Sequence, residues 1–206
     1  MTKQEVISIK ENKMDWKFET DKWPFVPTKN FNKIDSIRSV RVIVIHSMEA
    51  DEKGDTAEKI AKHFATTKKK KSAHICIDNN SIVQCVLDNN VAWAAPGANH
   101  DGIQIELAGY AAQKQPEWLD QYSTLVLENA AEVIAQYCLK YSIPIRQLTI
   151  EQLKDKKSKG IVSHSQVSEA FKMSSHTDPG EGFPWQYFLD RVSVRYELRK
   201  KKLAVA

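Results

Sequence analysis

The stretch Val40-Arg41-Val42-Ile43-Val44-Ile45-His46 decides how this chain folds. Its β-branched run is long enough for a central strand and too short for a helix. A strand that is apolar on both faces belongs inside a covered sheet, and this one ends at a histidine. Moving outward, Thr56 to Thr67 places Ala57, Ile60, Ala61, Phe64 and Ala65 at the spacing of an amphipathic helix. The cations Lys68 to Lys71 that follow read as a solvated helix end. Ala73 to Asp78 and Ser81 to Leu87 flank Asn79-Asn80, which predicts a hairpin. Ile103 to Leu107 reads as another strand. Glu117 to Tyr141 reads as one long helix burying Leu125, Ala130, Val133, Ile134 and Tyr137, with Pro144 just past its end. Residues 149–160 form a charged loop or short helix, and Trp185 to Arg199 a last helix with a basic tail. Strands mixed with helices predict the α/β class, a central mixed β-sheet flanked by helices.

Upstream of the decisive run, residues 1–38 are polar and aromatic by turns, with Trp16, Trp23, Pro24, Phe25 and Pro27. They read as an arm packed on the main body by its aromatics. The expected organisation is therefore an arm over 1–38, a body over 39–192 and a basic tail over 193–206. The chain has 206 residues, enough for one well-buried domain and short for two. With 42% hydrophobic residues, five Trp and seven Phe, disorder is not indicated. A net charge of +4 suits a basic soluble surface or an anionic polymer, but it is too diffuse to indicate nucleic-acid binding. Cys76, Cys85 and Cys138 are odd in number and form no CxxC pair, so they read as small buried apolar residues. Met1 to Phe18 has no apolar core segment, so no signal peptide is expected and synthesis in the cytosol is. No stretch approaches the roughly 18 apolar residues of a membrane-spanning helix.

Of the histidines His46, His63, His74, His100, His164 and His176, position singles out two. His46 ends the buried strand, and His164 follows the short apolar approach Gly160-Ile161-Val162-Ser163. Asp178 sits in the turn His176-Thr177-Asp178-Pro179-Gly180. Two imidazoles and a carboxylate from three segments are what a catalytic zinc ion uses, since three protein ligands leave a fourth tetrahedral position for water. Spacing alone makes this a weak signal, because many proteins contain two His and an Asp.

The wider pattern is more specific. Val44-Ile45-His46-Ser47 resembles the first motif of the type 2 N-acetylmuramoyl-L-alanine amidase family, which includes the peptidoglycan-recognition proteins. Ser72-Ala73-His74 with Ile82-Val83-Gln84 resembles its hairpin, Ala92-Trp93 its Ala-Trp segment, and Gly102 to Leu107 its Gly-Ile-Glu-Leu strand. Ser163-His164-Ser165, Thr177-Asp178-Pro179-Gly180 and Phe183-Pro184-Trp185 resemble the closing motif. The motifs span about residues 40–192 in the family's order.

The resemblance implies a zinc site in a surface cleft, with His46, His164 and Asp178 as ligands and Glu106 as catalytic carboxylate. His176 matches a position that is often lysine in the family, which implies a role at the oxyanion. It also leaves open a swap in which His176 binds zinc and Asp178 supports it. The implied substrate is peptidoglycan or muropeptides, cut between muramic acid and L-alanine, with Trp93 and His74 as substrate-binding residues. Where the family commonly has His after Ala-Trp, this chain has Ala94-Ala95-Pro96-Gly97, which implies a different cleft wall. His63 reads as solvated between lysines, and His100 carries no assigned role. A monomeric, phage-type endolysin is expected. A cytosolic muropeptide-recycling amidase and a non-catalytic peptidoglycan-binding module on the same fold are the alternatives. The tail Arg195 to Lys202 reads as a solvated end that could touch anionic membrane or lipopolysaccharide.

Overall fold

A computed structural model describes residues 23–205. The decisive run forms β2 (Val42–Ser47), every residue of it buried. The other strands are β1 (Phe31–Asn32), β3 (Ile75–Ile77), β4 (Ile82–Gln84), β5 (Val91–Ala92), β6 (Gly102–Leu107) and β7 (Gly160–Ser163). Five of them form one mixed sheet in the order β4-β3-β6-β2-β7, and β1 pairs with β5 separately. Within the large sheet only β4 runs antiparallel, as the return strand of the hairpin. β3, β6, β2 and β7 are parallel. The helices are α1 (Thr56–Thr66), α2 (Gln115–Trp118), α3 (Gln121–Tyr141), α4 (Ile150–Lys154), α5 (His164–Phe171) and α6 (Trp185–Val205).

The period of two along each strand sorts side chains between two layers. Ile43, Ile45, Ile75, Ile77, Ile103, Ile105, Leu107 and Ile161 face the larger core, closed by α3, α6 and the buried Trp118. Val42, Val44 and Val162 face the other side, where Leu153 of α4 and Val167 and Ala170 of α5 cover them. On that same side α1 covers Cys76, Val83 and Cys85 through Ala57, Ala61 and Phe64. The sheet is thus roofed on this face at both flanks, by α1 on one and by α4 and α5 on the other. The C-terminal ends of β6 and β2 lie between the two roofs.

Several expectations need correction. The long helix from Glu117 is two helices, α2 and α3, separated at Leu119 and Asp120. Asp120 is the reason: its extended backbone and its carboxylate, which accepts from Ser123 N at 2.7 Å, start a new helix. Replacing Asp120 with Ala should lower stability by about 1 kcal/mol, measured as a shift in the denaturant midpoint. Leu125 is not in the core but 47% exposed, because α3 turns its neighbours Val126 and Leu127 inward. The last helix runs on to Val205, so residues 193–205 continue it. Arg191 and Arg195 pair with Glu128, and Arg199 with Glu132, fastening α6 to α3. In the arm, Phe25 is fully buried and Trp23 packs on the main core, while Trp16 lies outside the described residues. The three cysteines are free and buried. Among the described residues no helix is long and apolar enough to cross a membrane.

Candidate active site

Parallel pairing builds the site by register. His46 on β2 lies directly opposite Glu106 on β6, and Cys76 on β3 lies opposite Glu106 from the other side. Val44 pairs with Val162, so two residues further on His164 continues the same row past the end of β7. His164 is also the first residue of α5. Ser163 ends the strand and caps that helix, its hydroxyl accepting from Gln166 N at 2.9 Å. Side chains in one row of a parallel sheet share a face, so Glu106, His46 and His164 rise together at the carboxyl ends of the strands. Open α/β sheets bind ligands there.

Asp178 comes from outside the sheet. Its backbone carbonyl accepts from Ser165 N at 3.0 Å, which ties the segment to the first turn of α5. Gly180 closes the turn at φ +92, and a Cβ there would lie 1.8 Å from the Ala111 carbonyl oxygen. Only glycine allows this approach. The Asp178 carboxylate then meets both imidazoles: Oδ2 lies 3.1 Å from His46 Nδ1 and Oδ1 lies 3.1 Å from His164 Nδ1. All three residues are buried, and one ligand atom from each falls within 4.8 Å of the others. Two imidazole nitrogens and a carboxylate oxygen this close fit a divalent metal such as zinc.

The electrostatics favour a positive charge at this point. Burial opposes protonation of His46, but its hydrogen bond to Asp178 and the fields of Glu106 and Asp178 raise its pKa to about 9. Burial pushes His164 down to about 4 against the Asp178 hydrogen bond, and the charge on His46 adds to this. Asp178 is held far below the usual carboxylate range: burial opposes ionisation, and the bonds to His164 and His46 overcome it. Burial pushes Glu106 up to about 7, with His46 acting against the shift. Two carboxylates in a poorly solvated pocket therefore share a cationic partner, a place a metal ion can take from a proton.

A cleft of about 580 Å³ opens above this cluster. Ile60, His63 and Phe64 of α1 form one wall, with Lys70 and Lys71 beyond them, and Trp93, Ala94 and Pro96 line another part. Trp93 is half-buried and held by its Nε1, which donates to Asn32 Oδ1 at 3.0 Å. His176 stands at the rim, its side chain 61% exposed, stacked on His164 with ring centroids 4.2 Å apart. Its Nδ1 is 3.5 Å from Asp178 Oδ1, and it is not among the three converging ligands. His63 is exposed at the rim, and His100 lies in a loop outside the cleft lining.

His74 is a correction. It does not reach the cleft: it is fully buried, with both ring nitrogens engaged by Gln104 N at 2.9 Å and Asn90 O at 3.1 Å. It sits beside Gln104 of β6, where its contacts serve the fold. Gln104 is a residue that sequence reading missed. It is fully buried one step below Glu106 on the same face, with Oε1 2.9 Å from His46 Nε2. The alternation along 102–107 was the available signal, since it puts Gln104 and Glu106 on one side.

The whole arrangement, strand ends carrying a buried His-His-Asp cluster with a carboxylate beside it, defines a candidate metal-binding hydrolase site. The chain belongs to the type 2 N-acetylmuramoyl-L-alanine amidase family, whose model, described as N-acetylmuramoyl-L-alanine amidase, matches residues 36–181. No curated protein matches it by sequence. Among solved structures it is similar in fold to the Staphylococcus aureus hydrolase AmiA in complex with its ligand. The TM-score there is 0.66 at 15% identity, covering 98% of this chain and 94% of the other. PlyL matches with a TM-score of 0.60 at 16% identity, covering 83% of this chain and 96% of that one. A selenomethionine derivative of AmpD matches with a TM-score of 0.59 at 19% identity, covering 84% and 95%.

Proposed function

We propose that this chain is a zinc-dependent N-acetylmuramoyl-L-alanine amidase of the phage endolysin type, hydrolysing the lactyl–L-alanine amide of peptidoglycan. The convergence of His46, His164 and Asp178 beside Glu106 carries this reading. His46, His164 and Asp178 would hold the ion. When bound, zinc supplies Lewis-acid polarisation of the amide carbonyl and brings the pKa of a water from about 16 to near 7. Glu106, poorly solvated and lining the cleft floor, takes a proton from the attacking water and returns it to the alanine nitrogen as the amide breaks. His176 at the rim offers an N–H to the carbonyl oxygen as negative charge develops there. Trp93 presents an apolar face to the sugar or stem peptide. The exposed rim formed by Lys70, Lys71 and His176 leaves the cleft accessible to a polymer strand.

The direct test is digestion of purified peptidoglycan followed by product analysis. New L-alanine amino termini should appear, should vanish on chelation and should return with added zinc. Intact walls and soluble muropeptides run side by side separate the endolysin role from recycling, and clearing of intact walls is expected. Absence of new alanine termini from both substrates would refute the amidase reading.

His176 gives a narrower expectation. His176→Ala should retain zinc and lose activity by about 10²–10³-fold, the usual effect of removing one oxyanion donor. His176→Lys should recover part of the rate. Rates normalised to bound zinc decide it, and a fully active alanine variant would remove His176 from the mechanism.

A further inference from the structure

A metal ligand must offer one chosen ring nitrogen, and a neutral imidazole has two. We propose that Gln104 is a positioning residue that keeps a proton on His46 Nε2, so that Nδ1, the nitrogen facing Asp178, is the one that binds a metal. The inference rests on the metal-site reading above. The geometry assigns each atom in turn. Gln104 Nε2 lies 3.1 Å from the Ala98 carbonyl oxygen, which can only accept, so the amide nitrogen faces Ala98. Its Oε1 therefore faces His46 Nε2 at 2.9 Å. A carboxamide oxygen can only accept, so that ring nitrogen carries the proton. Nδ1 is then the nitrogen that meets Asp178 Oδ2, 3.1 Å away, through a proton or through a metal in its place, on the side where His164 Nδ1 also meets the carboxylate.

Gln104 is in turn held from behind. Its backbone N–H donates to His74 Nδ1 at 2.9 Å, and its carbonyl accepts from His74 N at 3.0 Å. Because His74 Nδ1 accepts, its Nε2 carries the proton, 3.1 Å from the Asn90 carbonyl oxygen. Burial and the neighbouring Arg38, whose Nη2 lies 3.2 Å from the same Nε2, hold the pKa of this ring well below the usual histidine range. Gln104 and His74 are both fully buried, so neither contact is open to bulk solvent. Asn90, His74, Gln104 and His46 form one directional chain of hydrogen bonds ending at the metal position. Partners that hold the far nitrogen of a ligating histidine orient the ring and raise its basicity.

The test measures zinc affinity by chelator competition in the full chain, comparing wild type with Gln104→Met, Gln104→Glu and His46→Ala. Methionine keeps the volume and removes the acceptor, whereas glutamate keeps an acceptor. Gln104→Met should bind zinc about 10–100-fold more weakly. Gln104→Glu should stay within a few-fold of wild type, and His46→Ala should lose the site. Nitrogen NMR of the zinc-loaded wild type, with labelled histidine rings, should show His46 Nε2 protonated and Nδ1 on the metal. The opposite assignment would overturn the proposal whether or not the variants fold. Wild-type affinity that is lost in His46→Ala but unchanged in Gln104→Met would overturn it alone. A wild-type chain with no zinc affinity would overturn the metal-site reading and this inference with it.

Discussion

Glu106→Gln is expected to leave the fold and the bound zinc intact while slowing amide hydrolysis by about 10²–10⁴-fold, the usual contribution of a general acid–base group. The substitution is nearly isosteric, and Glu106 makes no hydrogen bond that the sheet depends on among the described side-chain contacts. Its backbone pairs with β2 and β3 are untouched. What is lost is a group that can accept a proton and later donate it. Burial already pushes Glu106 up to about 7, so at neutral pH it sits close to the point where both transfers are easy. An amide at this position would also remove one buried negative charge, so zinc must be quantified in both proteins. Activity within a few-fold of wild type at equal zinc would make Glu106 structural.

The other large effect is expected at the ligands. His46→Ala and His164→Ala should each leave the purified protein without stoichiometric zinc and without measurable activity, while His100→Ala, in its loop outside the cleft, should remain loaded. The cause is twofold. Each alanine deletes one of the three converging donors. It also strips a buried Asp178 carboxylate of one of its two imidazole partners, and breaking a buried pair typically costs about 3–5 kcal/mol. Loss of stability should therefore accompany loss of metal, and thermal unfolding measured beside metal content separates the two. Unchanged zinc in both ligand variants would remove the proposed site.

Much of this was legible in the sequence because burial writes itself into composition. The run Val42–Ile45 could only be an inner strand, and the hairpin around Asn79-Asn80 carried its own turn signal. The break inside 117–141 was harder, because Leu119 does not interrupt a helical pattern and Asp120 reads as a cap only when the capped amide is known. Helix α5 went unread although Ser163 and Gln166 form its capping box, since eight residues carry little periodicity. At the site, His46, His164 and Asp178 could be singled out by resemblance. Their meeting depends on long-range pairing that local pattern does not encode. His74 and Gln104 were misjudged or missed for one shared reason: sequence reports that a residue is polar, not which partners its atoms meet once the strands are paired.

The joint at Ser163 and His164 sets rules for where this chain can change length. His164 takes its place from two independent counts, the pairing of β7 with β2 and the start of α5. One residue gained or lost within 160–163 would turn the imidazole to the opposite side of the sheet, into the apolar core. The lysine-rich segment 155–159 lies before both counts begin, so insertions there leave the imidazole where it is. Variation among relatives in this part of the chain should collect before Gly160 and stop abruptly at it, marking the edge of the chemistry by a change in the tolerance of gaps.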